Sequence, residues 1–372
     1  MIVLSATNLT KSYGTDVILK DISFHANEGD RIGIIGANGA GKTTLLKLLS
    51  GELTPDSGGI FVSQNTTIGV LRQKDDFDPK STILKEAEAI FAHMDRMDKE
   101  MLDLSARIAA MEHGPAQSAL ILQYDQIHQD FERQGGYSYK SEVKGMLAGM
   151  AFGETDWDKP ISALSGGEKT RLALACLLLK KPDMLFLDEP TNHLDIGTLK
   201  WLEQYLRSYK GTILLISHDR YFLDQTINRI AEIENHKLHM YTGTYSTFAE
   251  KKRLMREDEL KKYQIQQKEI ARQEEIIRRF KSHGTEKLVK RAQSREKRLA
   301  QLDRLEAPEA TKGKIKIRFR ENFKSGTDVL LGEDLAMSFG AGRTQKDLFH
   351  GVNLDIKRGE RICLVGPNGI GK

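Results

Sequence analysis

The sequence predicts an α/β fold in which a parallel sheet carries a phosphate site at the carboxyl ends of its strands. The first observation is a glycine-rich segment, residues 36–43, which follows an apolar strand at 31–35 and matches G-x-x-x-x-G-K-S/T in full. The second is residues 184–187, the short apolar run of a strand covered on both faces, which ends in Asp188 and Glu189. Ligands bind at the carboxyl ends of strands in open α/β sheets, so both segments are expected at one edge.

Length and composition set the frame for this prediction. A chain of 372 residues allows two or three domains, and 29% charged residues with a mean hydropathy of −0.44 indicate a soluble surface. We expect no signal peptide, because no basic segment followed by an apolar one opens the chain, and no stretch approaches the ~20 apolar residues of a membrane span. Cys176 and Cys363 lack metal-type spacing and are expected to be buried thiols in a reducing compartment, which predicts a cytoplasmic protein.

An antiparallel β subdomain is predicted ahead of the glycine-rich segment. Residues 2–12 and 17–26 alternate between apolar and polar side chains, and a turn at residues 13–16 joins them. Tyr13 in this turn is a candidate to stack on an adenine ring, although a tyrosine in a turn is also an ordinary packing residue.

The glycine-rich segment has the residues that a nucleotide would require. Glycines let backbone N–H groups wrap the phosphates closely, Lys42 reaches the terminal phosphates, and the Thr43 hydroxyl can ligate Mg²⁺. The alternative is a glycine-rich turn without a ligand. The candidate ATP-binding residues here are Gly36, Ala37, Asn38, Gly39, Ala40, Gly41, Lys42, Thr43 and Thr44.

A polar, helical segment follows the predicted strand at residues 68–72, which Gln73 closes. Gln73 could reach Mg²⁺ and a water, or could simply end the strand. Residues 81–111 have apolar side chains at near-helical spacing, Gly114-Pro115 breaks the pattern, and a second helix follows. Residues 78–136 are therefore predicted to form a helical insertion, either a partner-binding arm or an elaborated subdomain.

A second helix N-terminus is predicted just before the strand at 184–187. Ser165, Gly166, Gly167 and Glu168 open a helix whose dipole and uncovered N–H groups favour a phosphate, and residues 172–179 are apolar nearly all round and should be buried. In the strand that follows, Asp188 could hold hydrated Mg²⁺, and Glu189 could orient or deprotonate an attacking water. The alternative is a buried strand capped by two surface acids.

The next strand of the sheet also ends in polar residues. Residues 192–195 form a polar turn, residues 196–207 a helix, and residues 212–217 a strand that leads to His218. His218 is therefore expected at the same sheet edge as Glu189, where it could sense a terminal phosphate. A structural histidine is the other interpretation.

The basic character of the chain belongs to one segment. Residues 250–306 have 18 Lys and Arg against 11 Asp and Glu, a net charge of +7, whereas the rest of the chain sums to −3. Two helices with facing apolar stripes, separated at residues 282–285, predict an antiparallel hairpin. Its tip has nine basic residues, which suit a phosphate backbone or form a solvated face. They are Arg278, Arg279, Lys281, Lys287, Lys290, Arg291, Arg295, Lys297 and Arg298.

The end of the chain repeats its beginning. Residues 334–340 echo 8–14, and residues 357–372 repeat 27–42. We expect an N-terminal fragment of a longer reading frame, since the second glycine-rich loop has its lysine but lacks the following hydroxyl residue. The repeated loop residues are Gly366, Asn368, Gly369, Gly371 and Lys372.

Taken together, these motifs resemble the ATP-binding cassette (ABC) ATPases, and within them the ABC-F group of soluble translation factors. On this resemblance residues 36–43 are the Walker A loop, Gln73 the Q-loop, residues 164–168 the signature and residues 184–189 the Walker B strand. Asp195 belongs to the D-loop and His218 is the switch histidine. The predicted domains are a first cassette at 1–250, a hairpin linker at 251–325 and the start of a second cassette at 326–372.

The resemblance also implies a function. Two cassettes in one full-length chain would enclose two ATP molecules with Mg²⁺, each between one Walker A loop and the other cassette's signature. Glu189 would be the catalytic base, Gln73 and His218 would assist, and Thr43, Gln73 and Asp188 would serve the metal. The closed form would bind the ribosome, contacting rRNA and tRNA through the linker.

Two other functions fit the same motifs: an ATPase subunit of a membrane transporter, and an ABC ATPase acting on DNA. A transporter subunit needs no basic hairpin between cassettes, and a repair ATPase would normally have cysteine clusters or a long coiled coil. The hairpin therefore favours the translation factor, in either a housekeeping or an antibiotic-resistance role. The 372-residue chain is expected to hydrolyse ATP poorly unless two copies pair head to tail.

Overall fold

A computed structural model describes residues 1–71, 77–112, 114–192, 194–282, 286–302, 304–305, 326–339 and 346–366, without the side chains of 286–289 and 346. The chain divides into two compact units, residues 1–245 with 328–372, and residues 246–327. The described strands are β1 Ile2–Tyr13, β2 Asp16–Asn27, β3 Arg31–Gly36, β4 Ser57–Val62, β5 Ile68–Val70, β6 Met184–Asp188, β7 Thr212–Ile216, β8 Arg229–Glu234, β9 Lys237–Thr242, β10 Asp328–Phe339 and β11 Lys346–Lys357. The described helices are α1 Lys42–Leu49, α2 Ile83–Ala89, α3 Ala92–Ala109, α4 Pro115–Arg133, α5 Tyr139–Gly149, α6 Gly166–Leu179, α7 Ile196–Ser208, α8 Arg220–Thr226, α9 Tyr245–Ser282 and α10 Glu286–Ala300.

The predicted α/β architecture is confirmed. An antiparallel sheet of order β2-β1-β4 packs on a six-stranded sheet of order β5-β6-β7-β3-β8-β9, in which β9 alone runs antiparallel to its neighbour. The strands β3 and β6, which lead to the two predicted phosphate motifs, lie on either side of β7. Their carboxyl ends therefore meet at one edge, as the sequence predicts.

The core lies between the sheets and around α1 and α6. Phe186 on β6, Leu214 on β7 and Ile32 on β3 are fully buried and belong to one apolar cluster. Every residue from 172 to 179 on α6 is buried, which confirms the prediction of a helix that is apolar all round.

The helical insertion differs in detail from the prediction. The near-helical spacing of residues 81–111 belongs to two helices, because the chain turns at Phe91, whose N–H donates to the Glu88 carbonyl (2.8 Å). After this turn, the ring centroids of Phe91 and Tyr139 lie 5.3 Å apart. Tyr139 is on α5, a helix that the sequence did not indicate. Tyr139 joins Met94 and Met101 in a separate small apolar cluster, so α5 anchors the insertion.

The second unit is the long helical hairpin. The helices α9 and α10 bury Ile270, Ile277 and Ala292, while most of their other residues are exposed. Near the end of the described part of the hairpin, the Leu305 N–H donates to the Gln266 side chain (2.8 Å). None of the helices in the described parts of the chain combines the length and the apolar character needed to cross a membrane.

The repeat at the end of the chain is visible in the structure. Strands β10 and β11 pair antiparallel and are each 12 residues long, as are β1 and β2. Both hairpins precede a glycine-rich loop in the sequence.

A buried carboxylate on α7 leads to a first prediction. Glu203 is 7% exposed, and its Oε1 atom has no hydrogen-bond partner among the described residues. Burial raises the pKa of Glu203, and the nearby Asp219 carboxylate raises it further. The positive charges of Arg207 and Lys200 oppose this rise without cancelling it. Because the folded protein favours the protonated form, the stability from this residue is full below the unfolded pKa and is lost as pH rises through the folded pKa.

Glu203→Gln is therefore expected to raise the free energy of unfolding by about 1 kcal/mol at about pH 8 and to leave it nearly unchanged at about pH 3.5, below the ordinary pKa of a glutamate. Urea unfolding at both pH values measures the difference. A stabilisation of equal size at both would show that the charge of Glu203 is not its cause.

Candidate functional site

The glycine-rich loop connects β3 to α1 and adopts a conformation that its glycines permit. Gly41 has φ +98°, and a Cβ there would lie 2.7 Å from Ile18 Cγ2 on β2. A Cβ on Gly36 would lie 2.6 Å from the Ile233 carbonyl oxygen on β8. The loop is therefore held closely by β2 and β8, and a larger residue at either position would displace it.

The Lys42 side chain lies along the inside of this loop. Its Nζ atom donates to the carbonyl oxygens of Gly36 and Ala37, both at 3.0 Å. Ala37, Asn38 and Gly39 are exposed, while Ala40 and Thr44 are half-buried. An ammonium group whose acceptors in the described part of the chain are neutral carbonyls can interact with an anion placed in the loop.

The two phosphate motifs meet in one hydrogen bond. The Thr43 hydroxyl at the start of α1 donates to Asp188 Oδ2 at the end of β6, at 2.8 Å. The residues are 145 positions apart in the chain, so the strand order brings them together. This pair of oxygen atoms is the donor set that Mg²⁺ prefers.

Glu189, the next residue, is held in a special backbone conformation. Its φ is +51°, and its N–H donates to the Ile216 carbonyl on β7 (2.9 Å). Its Oε2 atom accepts from the His218 N–H (3.3 Å), and Oε1 is buried with no hydrogen-bond partner among the described residues. Burial is the main cause that raises the pKa of Glu189, with Asp188 adding to it.

His218 lies beside Glu189, as the sequence predicts. The distance between His218 Nε2 and Glu189 Oε1 is 3.6 Å, beyond a normal hydrogen bond, and the histidine side chain is 63% exposed. The imidazole can therefore reach a ligand at this edge.

The predicted signature segment forms a capped helix N-terminus. The Ser165 N–H donates to Glu168 Oε2 (2.8 Å), and the Glu168 N–H donates to Ser165 Oγ (3.3 Å), which is a capping box. Burial raises the pKa of Glu168, but hydrogen bonds from Ser165 and the charges of Arg171 and Lys159 outweigh it, so the net pKa is lowered. Ser165 and Gly166 are exposed and Gly167 is half-buried, so this N-terminus is open to an approaching group.

Asp195 caps the N-terminus of α7. Its Oδ1 atom accepts from the Thr198 N–H (2.8 Å), and it lines a cavity of about 540 Å³ with Ile196, Trp201 and Gly366, the first residue of the repeated loop. The structure thus places the beginning of the second glycine-rich loop beside the N-terminus of α7.

The remaining predicted residues lie apart or outside the description. Tyr13 ends β1 with 51% of its surface exposed, and Lys11 Nζ lies 5.9 Å from its ring centroid. Gln73 lies outside the described residues, as do Asn368, Gly369, Gly371 and Lys372. Lys287 is on α10, but its side chain is outside the description.

Asp219 is a positioning residue to which the sequence analysis assigned no role. Its N–H donates to Ser217 Oγ (3.1 Å), and its carboxylate accepts from the Phe222 N–H (3.0 Å), capping α8. Ser217 Oγ also lies 3.3 Å from Thr191 Oγ1, in the turn after Glu189. An aspartate between a strand and a helix is an N-cap signal that could have predicted this arrangement.

The fold, with a glycine-rich phosphate loop after β3 and two carboxylates after β6, is that of an ATP-binding cassette. Two family models described as ABC transporter match residues 19–192 and 231–319. Over its entire length the chain is 42% identical to the ATP-binding protein YdiF of Bacillus subtilis, and it covers 57% of that protein. It is also 32% identical over its entire length to the ABC transporter ATP-binding protein YfmM of Bacillus subtilis, of which it covers 70%. It is also 32% identical to ABC transporter F family member 2 of Arabidopsis thaliana, over 98% of the chain and 53% of that relative.

These similarities show that the chain belongs to the ABC-F family of ATP-binding cassette proteins. The chain spans little more than half of YdiF and of the Arabidopsis protein. A solved ATP-binding subunit of an ABC transporter aligns with 64% of this chain and 90% of its own, at 18% identity and a TM-score of 0.48.

Proposed function

We propose that the protein binds ATP with Mg²⁺ at the carboxyl edge of the six-stranded sheet and hydrolyses it, and that closure of paired cassettes drives its action on the ribosome. The observation that carries the ATP chemistry is the meeting of Thr43, Asp188 and Glu189 at this edge. The Thr43 and Asp188 oxygens lie 2.8 Å apart, and Glu189 presents a buried carboxylate oxygen that has no hydrogen-bond partner in the described ranges.

The residues present fit a magnesium site. The Thr43 hydroxyl and the Asp188 carboxylate are hard oxygen donors, and Mg²⁺ typically takes one or two such protein ligands together with phosphate oxygens. When bound, the ion would neutralise charge on the terminal phosphates. Gln73 is proposed as a further ligand from its place in the sequence.

The phosphates would be held by the loop at residues 36–44. The closely packed glycine backbone leaves room for phosphate oxygens, and Lys42 would exchange its two carbonyl acceptors for these oxygens. Tyr13 is proposed to stack on the adenine, because its ring is exposed on the hairpin whose β2 strand contacts Gly41.

Glu189 is proposed as the base that orients the attacking water and receives its proton. Its raised pKa supports this role, because a carboxylate that holds a proton more strongly is a better acceptor. The Glu189 Oε1 atom is the acceptor, and the exposed His218 ring beside it would contact the terminal phosphate.

Head-to-tail pairing of two cassettes is proposed to complete the site. Ser165, Gly166, Gly167 and Glu168 form an open helix N-terminus, which suits the phosphates of a nucleotide held by another loop. The cavity shared by Asp195 and Gly366 supports pairing within one longer chain. The 372-residue chain by itself is accordingly expected to have low ATPase activity.

The basic hairpin supports the ribosomal part of the proposal. Some of its basic side chains are engaged within the hairpin: Arg279 pairs with Glu275 (3.0 Å), Lys281 with Glu296 (2.6 Å), and Arg295 donates to Gln273 (2.5 Å). Of the nine basic residues predicted at the tip, those with exposed side chains in the described part are Arg278, Arg279, Lys281, Lys290, Arg291, Lys297 and Arg298. Exposed arginines and lysines on a helical hairpin suit rRNA or tRNA phosphates.

Sedimentation with ribosomes tests this proposal. In protein expressed from the complete gene, Glu189 and its second-cassette counterpart are changed to Gln, and the protein is spun through a sucrose cushion with ribosomes at two salt concentrations. We expect ATP-dependent co-sedimentation that weakens with salt and that falls at least about 10-fold when Arg278, Arg291 and Lys297 become Gln. A matched control changes Lys251, Arg253 and Lys261, three exposed basic residues in the first half of α9, to Gln. Failure to co-sediment with any nucleotide would reject the ribosomal role and direct the search to a membrane permease.

A further inference from the structure

The helix α7 has a ladder of three aromatic rings that the proposed ATP chemistry does not use. Trp201, Tyr205 and Tyr209 follow one another at four-residue spacing. The ring centroids are 5.4 Å apart for Trp201 and Tyr205, which stack, and 6.1 Å apart for Tyr205 and Tyr209. Such contacts stiffen one face of the helix.

The second and third rings of the ladder, Tyr205 and Tyr209, form hydrogen bonds at the end of α6, the helix that the predicted signature segment begins. The Tyr205 hydroxyl donates to the carbonyl of Leu178 in the last turn of α6 (3.0 Å), and the Tyr209 hydroxyl donates to the carbonyl of Pro182, just before β6. The Leu178 carbonyl also accepts from the Lys181 N–H (3.2 Å), so Tyr205 adds a second hydrogen bond at the end of α6. Burial raises the pKa of Tyr205 to about 12, so its hydroxyl remains a proton donor at neutral pH.

The first ring of the ladder, that of Trp201, packs against the end of α5. A Cβ built on Gly149 would lie 2.1 Å from Cε2 of Trp201 and 2.5 Å from its Nε1. The indole therefore occupies the space that the absent side chain leaves. Any residue other than glycine at position 149 would displace Trp201.

The ends of α5 and α6 are also joined directly. Arg171 on α6 donates to the Met150 carbonyl (3.1 Å) and lies 5.0 Å from the centroid of the Phe152 ring, in the segment after α5. At the other end of α6, Lys181 pairs with Glu142 on α5 (2.5 Å). Helices α5, α6 and α7 thus form a closed set in which each helix contacts both others.

Two residues with proposed functions lie at the N-termini of helices in this set of three. Ser165 is the N-cap of α6 and Asp195 is the N-cap of α7. Ser165 is proposed to face the nucleotide of a second cassette, and Asp195 lines the cavity that Gly366 of the repeated loop also lines. A displacement of α6 relative to α7 would change the spacing between them.

We infer, on the basis of the proposed function, that Trp201 and Tyr205 are positioning residues that hold α6 against α7. Ser165 and Asp195, at the N-termini of these helices, then approach the partner cassette's nucleotide as one rigid unit. Trp201 and Tyr205 do not touch ATP bound by the first loop. Their loss should slow turnover without weakening ATP binding at Lys42.

The first test is Tyr205→Phe in protein expressed from the complete gene, which removes the hydroxyl and keeps the ring. We expect kcat for ATP hydrolysis to fall about 10-fold, with the affinity for a fluorescent ATP analogue and the melting temperature nearly unchanged, since small misplacement penalises the chemical step. Tyr137→Phe is the matched control, because it removes a comparable hydroxyl contact with His128 (3.0 Å) on the distant insertion. Wild-type turnover in Tyr205→Phe would overturn the role of the hydroxyl.

A rescue experiment tests the role of Trp201 and distinguishes it from general destabilisation. Gly149→Ala is expected to lower kcat about 10-fold, and Trp201→Leu less than that, because the leucine leaves room but loses the stack. The double variant should return to within about 2-fold of Trp201→Leu. Independent, multiplying losses in the double variant would overturn the inference. If the wild-type protein hydrolyses no ATP, the proposed function fails; if it does and these variants match it, the inference fails alone.

Discussion

Glu189→Gln is expected to lower kcat for ATP hydrolysis by at least about 100-fold in protein expressed from the complete gene, while ATP binding is retained. The amide has nearly the same shape as the carboxylate, so the loop and the Thr43–Asp188 pair should keep their positions. What is lost is the negative charge of the carboxylate, and with it the capacity to take a proton at Oε1, which is buried and without a hydrogen-bond partner among the described residues. Phosphate release and retention of radiolabelled ATP measure the two effects.

Glu203→Gln is the matched control for this experiment. Glu203 is the other buried glutamate with a partnerless Oε1 in the described part of the chain, but it lies on α7 away from the phosphate loop. Its variant should hydrolyse ATP at close to the wild-type rate. If Glu189→Gln retained normal turnover, the assignment of Glu189 as the base would be wrong.

Lys42→Ala is expected to weaken ATP binding by about 10- to 100-fold, because a hydrogen bond between an ammonium group and a phosphate is worth about 1.5–3 kcal/mol. Among the described residues its Nζ atom donates to the neutral carbonyl oxygens of Gly36 and Ala37, so the substitution leaves no buried charge unpaired there. Equilibrium titration with a fluorescent ATP analogue measures the loss.

Lys47→Ala provides the control for charge alone. Lys47 is an exposed lysine in the last turn of the same helix, α1. It should bind the analogue as tightly as the wild-type protein. An equal loss of affinity in both variants would mean that Lys42 acts only through the net charge of the helix.

The strongest local patterns were enough to predict much of the fold. The run at residues 172–179 and the strand at 184–187 are apolar on all sides, and burial in the core leaves them few alternatives. Strands β8 and β9 were not predicted. β8 contains the charged residues Arg229, Glu232 and Glu234, so its sequence lacks the apolar pattern of a buried strand. In the structure Glu232 is nevertheless only 8% exposed.

The site was predictable at the level of elements rather than atoms. Because β3 and β6 end at the same edge, the meeting of Thr43 and Asp188 follows from the motifs and the sheet rule. The partnerless Oε1 of Glu189 and the fit of Trp201 against Gly149 depend on contacts between distant segments. No local pattern encodes such contacts, so the sequence could not indicate them.

The most direct test of the ATP site is the magnesium dependence of ATP binding to Thr43→Val, measured by calorimetric titration with Mg²⁺ and with EDTA. Valine keeps the shape of threonine and removes only the hydroxyl that lies 2.8 Å from Asp188. The wild-type protein is expected to bind ATP at least about 10-fold more tightly with Mg²⁺, and Thr43→Val to lose most of that gain while binding metal-free ATP normally. A full magnesium effect in Thr43→Val would contradict a metal site formed by Thr43 and Asp188.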